Sequence, residues 1–396
     1  MHDGNPRAEA TGLSPGYAWR IALFFTALFL VAGTKLPYLP VWLDWRGLSK
    51  AEIAAITAAP LFLRIIAGPL IAFIADWWGD RRAAIVVLAI GSLAGLSLLT
   101  LAGSFWPILA VTLVTALATT GLMPLAETLA MSGVRQGGLD YGRMRLWGSL
   151  SFIAAGFIAG AAISGMGPGT VLWLLIGGAA LTLGAALLLP VDPGRTAPGG
   201  RRFALADAMQ FATSPRFLVF ILAAGAVQTS HAVFYTFGVI EWQRQGLSAT
   251  WAAVLWAVGV GVEVGLFACS GMVVARFGAR YMIMAGAVGG LVRWTCMAFD
   301  PPLAALIPLQ ALHGLTFGAA HLGALHVMSE IVPPAQAGTA QAIYASVTAG
   351  IGLGLATLLA GPLYATWGGG AYLAMAVLAG VGLLAGVVLG RLRPER

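Results

Sequence analysis

Charge is scarce in this chain. Asp, Glu, Lys and Arg together make up 9% of its 396 residues, against about 25% in a soluble domain, which excludes an ordinary water-soluble globule. Cysteine is nearly absent. Cys269 and Cys296 both fall in apolar stretches, and two such residues build neither a disulfide framework nor a zinc motif. The short alternating strands of an outer-membrane barrel are missing too. So are the His-x-Glu-x-x-His metal helix, the Gly-x-Ser-x-Gly elbow and facing aspartate pairs, the marks of a membrane-embedded enzyme. No cofactor pattern occurs, and no metal spacing: His313/His321 and His321/His326 are not i, i+4 pairs. Residues 1–16 are polar without a cleavable-signal pattern, so the first apolar segment is expected to be retained. A sensor is expected to carry a sizeable soluble output domain, and neither polar terminus exceeds about twenty residues.

What is present is apolar surface. Hydrophobic residues reach 59%, glycine numbers 53 and mean hydropathy is +0.88. Runs of about twenty apolar residues recur from end to end, the pattern of an all-α polytopic membrane protein. Abundant glycine suits close helix approach in lipid. Twelve segments are expected, near 17–41, 53–75, 83–102, 106–131, 146–163, 170–190, 216–238, 249–270, 280–299, 303–331, 337–360 and 370–391. The polar connection 191–215 splits them six plus six. It separates an N-terminal bundle (1–190) from a C-terminal one (216–396), and its stretch 201–214 has the composition of a short surface helix. Pro37 and Pro40, Pro124, and Gly361-Pro362 are expected to punctuate the first, fourth and eleventh segments, the last pair closing its helix.

Lys and Arg set the orientation. With both termini cytoplasmic, Arg81, Arg82, Arg143, Arg145, Arg276 and Arg280 lie at the inner face, and Arg46, Lys50 and Arg244 outside. Lys35, Arg64 and Arg293 are left within the membrane. The net charge of +7 is then a topology signal, and no nucleic-acid partner is needed to explain it. The expected location is the cell inner membrane.

The halves repeat. Sliding the chain by 199 residues lays Gly47-Leu48-Ser49 on Gly246-Leu247-Ser248 and Gly79-x-Arg81 on Gly278-x-Arg280. The same shift lays Arg64 on Glu263 and Glu127 on His326.

Two motifs carry a resemblance. The run from Gly68 through Asp76, Gly79, Arg81 and Arg82 resembles the signature loop of the major facilitator superfamily. It departs at Ala72, Trp77 and Asp80; the second copy, with Arg276, Gly278 and Arg280, has Ala275 in the Asp position. The resemblance implies a gating loop that latches cytoplasmic helix ends in one conformation. Asp140-Tyr-Gly142-Arg143-Met-Arg145-Leu-Trp-Gly148-Ser149, with the segment around His313, looks like the phenylpropionate-permease group, related to lactose permease-type proton symporters. That resemblance spans essentially the whole chain. It implies two rocking six-helix halves, substrate contacts at Glu127 and Arg145, and proton coupling by Glu263, Arg293 and one of His313 or His321. The acidic residue those symporters carry one turn after the histidine is missing here.

The residues read alone point the same way. Glu263 and Arg293 both fall roughly 20 Å deep along their segments. An unpaired charge at that depth costs about 2.5–3.5 kcal/mol, so the two are expected to pair or to share a wet cavity. A static salt bridge would look the same. Three of the five histidines cluster between Leu303 and Glu330. With an ordinary pKa near 6.5, imidazole suits proton exchange at working pH; an interhelical hydrogen bond is the plainer role. His326 and Glu330 lie toward the inner mouth. Lys35, Arg64 and Arg293 against Glu127 and Glu263 leave one excess cation, which favours an anionic substrate. Arg64 is expected to clamp a carboxylate with Lys35 as a second charge. Tyr38, His231, Phe234, Tyr235, Phe237 and Phe317 together could supply ring walls; for each ring singly, lipid- or core-facing packing is the plainer role. The reading is a monomeric, proton-coupled carrier of a small organic anion, aromatic acids included. A proton-driven exporter and a sugar or nucleoside symporter on the same fold remain the alternatives.

Overall fold

The computed structural model describes residues 13, 16–190, 212–333 and 336–392, and all regular structure among them is helical. In order these are α1 (Tyr17–Trp45), α2 (Lys50–Trp78), α3 (Arg81–Leu98), α4 (Phe105–Gly137), α5 (Tyr141–Met166), α6 (Thr170–Leu188), α7 (Pro215–Arg244), α8 (Ala249–Ala268, continued by Ser270–Phe277), α9 (Ala279–Met297), α10 (Leu303–Ile331), α11 (337–367) and α12 (Tyr372–Leu389). Ten helical runs among the described residues are long and apolar enough to cross a membrane. In that set α11 and α12 count as one run, Ala337–Leu389, joined by the 3-10 turn Gly368–Ala371; α9, which carries Arg280 and Arg293, is not in it. The expected surface helix at 201–214 lies, but for its last three residues, outside the described residues.

The repeated motifs have a backbone cause. Gly47 and Gly246 both take φ near +80° (81° and 88°), a conformation that costs glycine nothing. In each copy the next leucine N–H returns to the chain: Leu48 to Leu43 O, Leu247 to Trp242 O. Ser49 and Ser248 then accept the first free N–H groups of α2 and α8, Ser49 in a capping box with Glu52. Two hairpin corners are thus built the same way, 199 residues apart. Asp80 and Asp140 cap α3 and α5 by the same physics.

Packing repeats as well. In the first half α1 lies along α5 and α6, α3 along α4 and α6, and α2 along α4; the shifted pairs α7 with α11 and α12, α9 with α10 and α12, and α8 with α10 occur in the second. The halves meet where α2 packs on α11, α5 on α8 and α1 on α7. Outward faces carry large apolar side chains, among them Ile66, Phe73, Trp106, Trp173 and Leu384. That is the surface a bilayer wants, and a liability in water.

The seam is tight at the end away from the arginine-rich loops. The Tyr38 hydroxyl donates to Ala249 O at 2.9 Å, from α1 to α8. A Cβ on Gly160 would stand 2.7 Å from that same carbonyl, and one on Gly361 2.8 Å from Lys50 O and 2.9 Å from Ala51 Cα. Around this contact Lys50 pairs with Asp44 and lies 5.9 Å from the Tyr364 ring. Tyr364 donates to Glu241 at 2.6 Å, and Arg244 holds Glu241 and Asp300 together. Burial works against the Asp300 charge, yet its contacts with Glu241, Arg244 and Gln245 hold the carboxyl below the usual carboxylate range. At the basic end the helix termini are exposed instead: Trp77 is 81% exposed and Ser270–Phe277 has no buried residue.

Pro37 and Pro40 lie inside α1, which runs on to Trp45. One expectation about a helix end needs correcting. Pro362 lies inside the helix Leu353–Trp367 and does not end it, and Gly361 serves the close approach to α2. The breaks fall elsewhere: at Gly121 in α4, at Ser230-His231 in α7, and in π-helical turns at Gly314–Ala319 and Ser346–Gly352. Gly361→Leu should therefore force the tight end apart. Spin labels at Ser104 and Trp367, one on each half, should report a longer distance in the variant; an unchanged distance would show that the contact does not hold the seam.

Candidate functional site

Arg293 is the centre of the buried polar structure. It is fully buried on α9 and its charge meets no carboxylate directly among the described residues. One amino group donates to His313 Nδ1 and to Thr316 Oγ1, both at 3.1 Å, and the other to Gln310 Oε1 at 2.6 Å. The guanidinium also lies 4.6 Å from the Phe234 ring and 4.5 Å from that of Trp294. Charge-assisted hydrogen bonds and cation–π contacts of this kind make a desolvated arginine tolerable. His231, in the break of α7, is fully buried; its Nε2 is 3.1 Å from Thr316 Oγ1, and Trp294 is anchored to Ser230 at 2.9 Å.

The expected Glu263–Arg293 pair is not made. His313 stands between them, with its Nε2 3.5 Å from Glu263 Oε2. The cause is lateral: Gly259 of α8 admits the His313 ring against its backbone, so the imidazole fills the gap an ion pair would close. Glu263 is half-buried on α8, and His313, His321, Tyr235 and Arg145 are the titratable or charged groups around it. Glu263 and Arg145 stand on helices, α8 and α5, that pack together across the two halves.

In the first half Arg145 stacks over Phe29 at 4.0 Å and interacts with Tyr141 and Glu127, while Tyr141 donates to Glu127 at 3.1 Å. Lys35 is half-buried and Arg64 exposed, and neither makes a hydrogen bond or ion pair with a described residue. Arg64 shares a helical face with Gly68 and Ile71, which approach Thr120 and Gly121 at the break in α4.

Rings line the second half. His313, Phe317 and His321 form a stacked column, with centroids 5.4 and 6.0 Å apart and planes within 12°. Tyr235 stacks on His231 at 5.3 Å and on Trp256 at 6.0 Å. Tyr38 and Phe237, expected as ring walls, lie instead at the tight seam; Phe237 stacks on Tyr364 at 4.4 Å. His326 and Glu330 are exposed toward the basic end.

The loop residues are engaged within their own halves. Asp76 pairs with Arg81 at 2.8 Å and Arg82 donates to Leu187 O at 2.7 Å. Gly79 caps α2 at φ 74°, and Gly278 starts α9 at φ 81°. Arg276 is exposed, and Arg280 folds over Tyr281 at 4.5 Å. Among the described residues no group of three or more His, Cys, Asp or Glu is placed to hold a metal ion.

Gln310 and Thr316 were missed by the reading of charged residues, though their spacing of three on either side of His313 puts them on its face of the helix.

The comparisons with known proteins agree with this architecture. The model of the MFS_1 like family matches residues 18–374. A probable 3-phenylpropionic acid transporter of Escherichia coli (strain K12) is 31% identical over 373 residues, covering 91% of this chain and 94% of that protein. The maltose permease of Geobacillus stearothermophilus is 29% identical over 379 residues, 93% of each. In fold, the crystal structure of the nucleoside transporter NupG superposes with a TM-score of 0.82 at 15% identity, over 95% of this chain and 98% of that one. The chain belongs to the MFS_1 like family and is a multi-pass membrane transporter of the major facilitator superfamily, in its phenylpropionate-permease group.

Proposed function

We propose that this chain is a proton-coupled symporter of a small organic anion, an aromatic carboxylate of the phenylpropionate type. The observation that carries the reading is the division of charge between the halves. The first half offers Lys35 and Arg64 without a counter-ion among the described residues, and Arg145 beside Tyr141 and Glu127. The second half offers Glu263 beside imidazole rings, with its own buried cation, Arg293, held by His313, Thr316 and Gln310. Cations on one wall suit an anionic group, and the Phe317 and Tyr235 rings suit an aromatic body. The proton-binding group sits opposite, on Glu263. The 31% identical relative, a probable 3-phenylpropionic acid transporter, supports the substrate class.

The twelve helices are then two six-helix bundles, 1–190 and 216–396, joined by a cytoplasmic linker at 191–215 and related by a pseudo-two-fold axis. The repeated helix pairings support this. With the basic end and both termini cytoplasmic in the inner membrane, the tight seam at Tyr38 and Gly361 is the outer gate, closed. The exposed inner ends belong to an inward-facing state. Rocking of the halves would open the seam and bring the Asp76 and Arg276 loops together. The working unit is a monomer.

Uptake into proteoliposomes tests the reading. Radiolabelled aromatic acids, sugars and nucleosides would be offered with and without an inside-alkaline pH gradient. The expected result is gradient-dependent accumulation of an aromatic acid and none of the neutral compounds. Accumulation of a sugar or nucleoside instead, which the maltose permease relative makes the natural rival, would overturn the substrate class.

A further inference from the structure

We propose that the first half carries a phospholipid-headgroup site at the tight-seam end, in which Arg46 takes the phosphate of an anionic lipid. The site is a cavity of about 390 Å³ between the end of α1, the α3–α4 loop and the α5–α6 turn, with Trp42, Trp45, Arg46, Thr100, Met166 and Trp173 on its walls.

The repeat supplies the first argument. The shift of 199 residues that matches the two Gly-Leu-Ser corners also lays Trp42 on Glu241, Trp45 on Arg244 and Leu101 on Asp300. In the second half the guanidinium at this corner is neutralised within the protein. Arg244 donates to Glu241 at 2.6 Å and pairs with Asp300, a clasp that ties the end of α7 to the α9–α10 loop. In the first half both carboxylates are replaced by apolar side chains, while Arg46, one residue past the place of Arg244, keeps a guanidinium there. One of its amino groups donates to Ala102 O in the α3–α4 loop at 2.8 Å, and the guanidinium lies 5.3 Å from the Trp42 ring. Arg46 has no carboxylate partner among the described residues; Asp44, two residues back, is paired with Lys50. What stands beside Arg46 is the cavity.

The walls say which anion fits. The Arg46 Nε–H and its second amino group remain for two oxygens of one phosphate, the fork geometry a guanidinium prefers. Indole rings and a thioether form the rest, so the ligand carries apolar mass beside its charge. The rim belongs to the lipid-facing surface. Trp173 heads the exposed apolar stripe of α6 that continues through Leu181 and Leu188, and Trp45 and Met166 are exposed beside it. Tryptophans at a helix end of this kind sit in the headgroup layer of a bilayer. The anion found in that layer, attached to apolar mass, is a phospholipid phosphate. Bound there, it would tie α1 to the neighbouring loops as Glu241 and Asp300 do in the second half.

The test is native mass spectrometry of the full chain released from detergent micelles, titrated with dioleoylphosphatidylglycerol, dioleoylphosphatidylcholine or 3-phenylpropionate. The wild type should retain one phosphatidylglycerol about fivefold more tightly than phosphatidylcholine, the worth of one basic side chain at a lipid surface. Arg46→Gln keeps a donor for Ala102 O and loses the charge, so its affinity for that lipid should fall about tenfold or more. Thr100→Asp leaves Arg46 in place and supplies a carboxylate on the cavity wall, as the second half does from within; it should show the same loss. Arg143→Gln, which removes an exposed cation at the basic end, should leave the tight lipid bound. Equal retention by the wild type, Arg46→Gln and Thr100→Asp overturns the site, as does loss in Arg143→Gln alone. Tighter retention of 3-phenylpropionate than of phosphatidylglycerol, abolished by Arg46→Gln, would make the cavity a small-acid site and overturn the lipid assignment.

Discussion

Glu263→Gln should abolish accumulation driven by a pH gradient and leave substrate exchange at equal concentrations partly intact. Glutamine keeps the shape of the side chain and an acceptor for His313, so the packing of α8 against α10 survives. What it loses is a site that binds and releases a proton. In a symporter each half-cycle that returns the empty carrier needs that release, whereas exchange returns the loaded carrier and does not. The two assays should therefore separate: pH-driven uptake falls to the background of empty liposomes, and exchange falls by no more than about a hundredfold, the upper worth of one charged hydrogen bond. Proton-driven uptake that survives in the variant would show that Glu263 is not the coupling site. Equal loss of both activities would point to a binding or folding role.

Arg64→Ala should raise the KM for carboxylate substrates about ten- to a hundredfold, the range expected for a charge-assisted hydrogen bond, and change that of an amide analogue little. Arg64 is the cleaner of the two arginines to test. It has no protein partner among the described residues, so its removal strands nothing. Arg145 stacks on Phe29 and interacts with Tyr141, so its loss would disturb packing as well as charge. Facing lipid at mid-depth would cost Arg64 about 2.5–3.5 kcal/mol, a cost that only a watery cavity or a ligand removes. Equal loss for acid and amide would sink the carboxylate clamp; no loss for either would place substrate elsewhere.

Much of the fold was legible because membrane crossing imposes a crude signal. Runs of apolar residues, the Gly-Leu-Ser corners and the distribution of arginine all follow from forces that act on one segment at a time. The site was legible only where it carried charge. Glu263, Arg293 and His313 stand out because a polar group at mid-depth is expensive, and the structure does bring them together. Their order was not readable, because whether histidine or glutamate meets the arginine depends on the room beside Gly259. Gln310 and Thr316 are uncharged, so nothing marks them among apolar neighbours. The tight seam between the halves was hidden for another reason. Tyr364 and Glu241 are 123 residues apart, and Tyr38 reaches Ala249 across 211. No local pattern announces such contacts. Pro362 misled because proline breaks helices in water, while close-packed membrane helices absorb it.

The central claim is that substrate and proton move together. It is tested most directly by loading proteoliposomes with a pH-sensitive dye, imposing no pH gradient, clamping the membrane potential at zero and adding an aromatic acid outside. The account predicts acidification of the lumen that begins with substrate entry, is absent for the non-transported amide and is lost in Glu263→Gln. Uptake of the acid with no change in lumenal pH, from the wild-type protein under the same clamp, would contradict it.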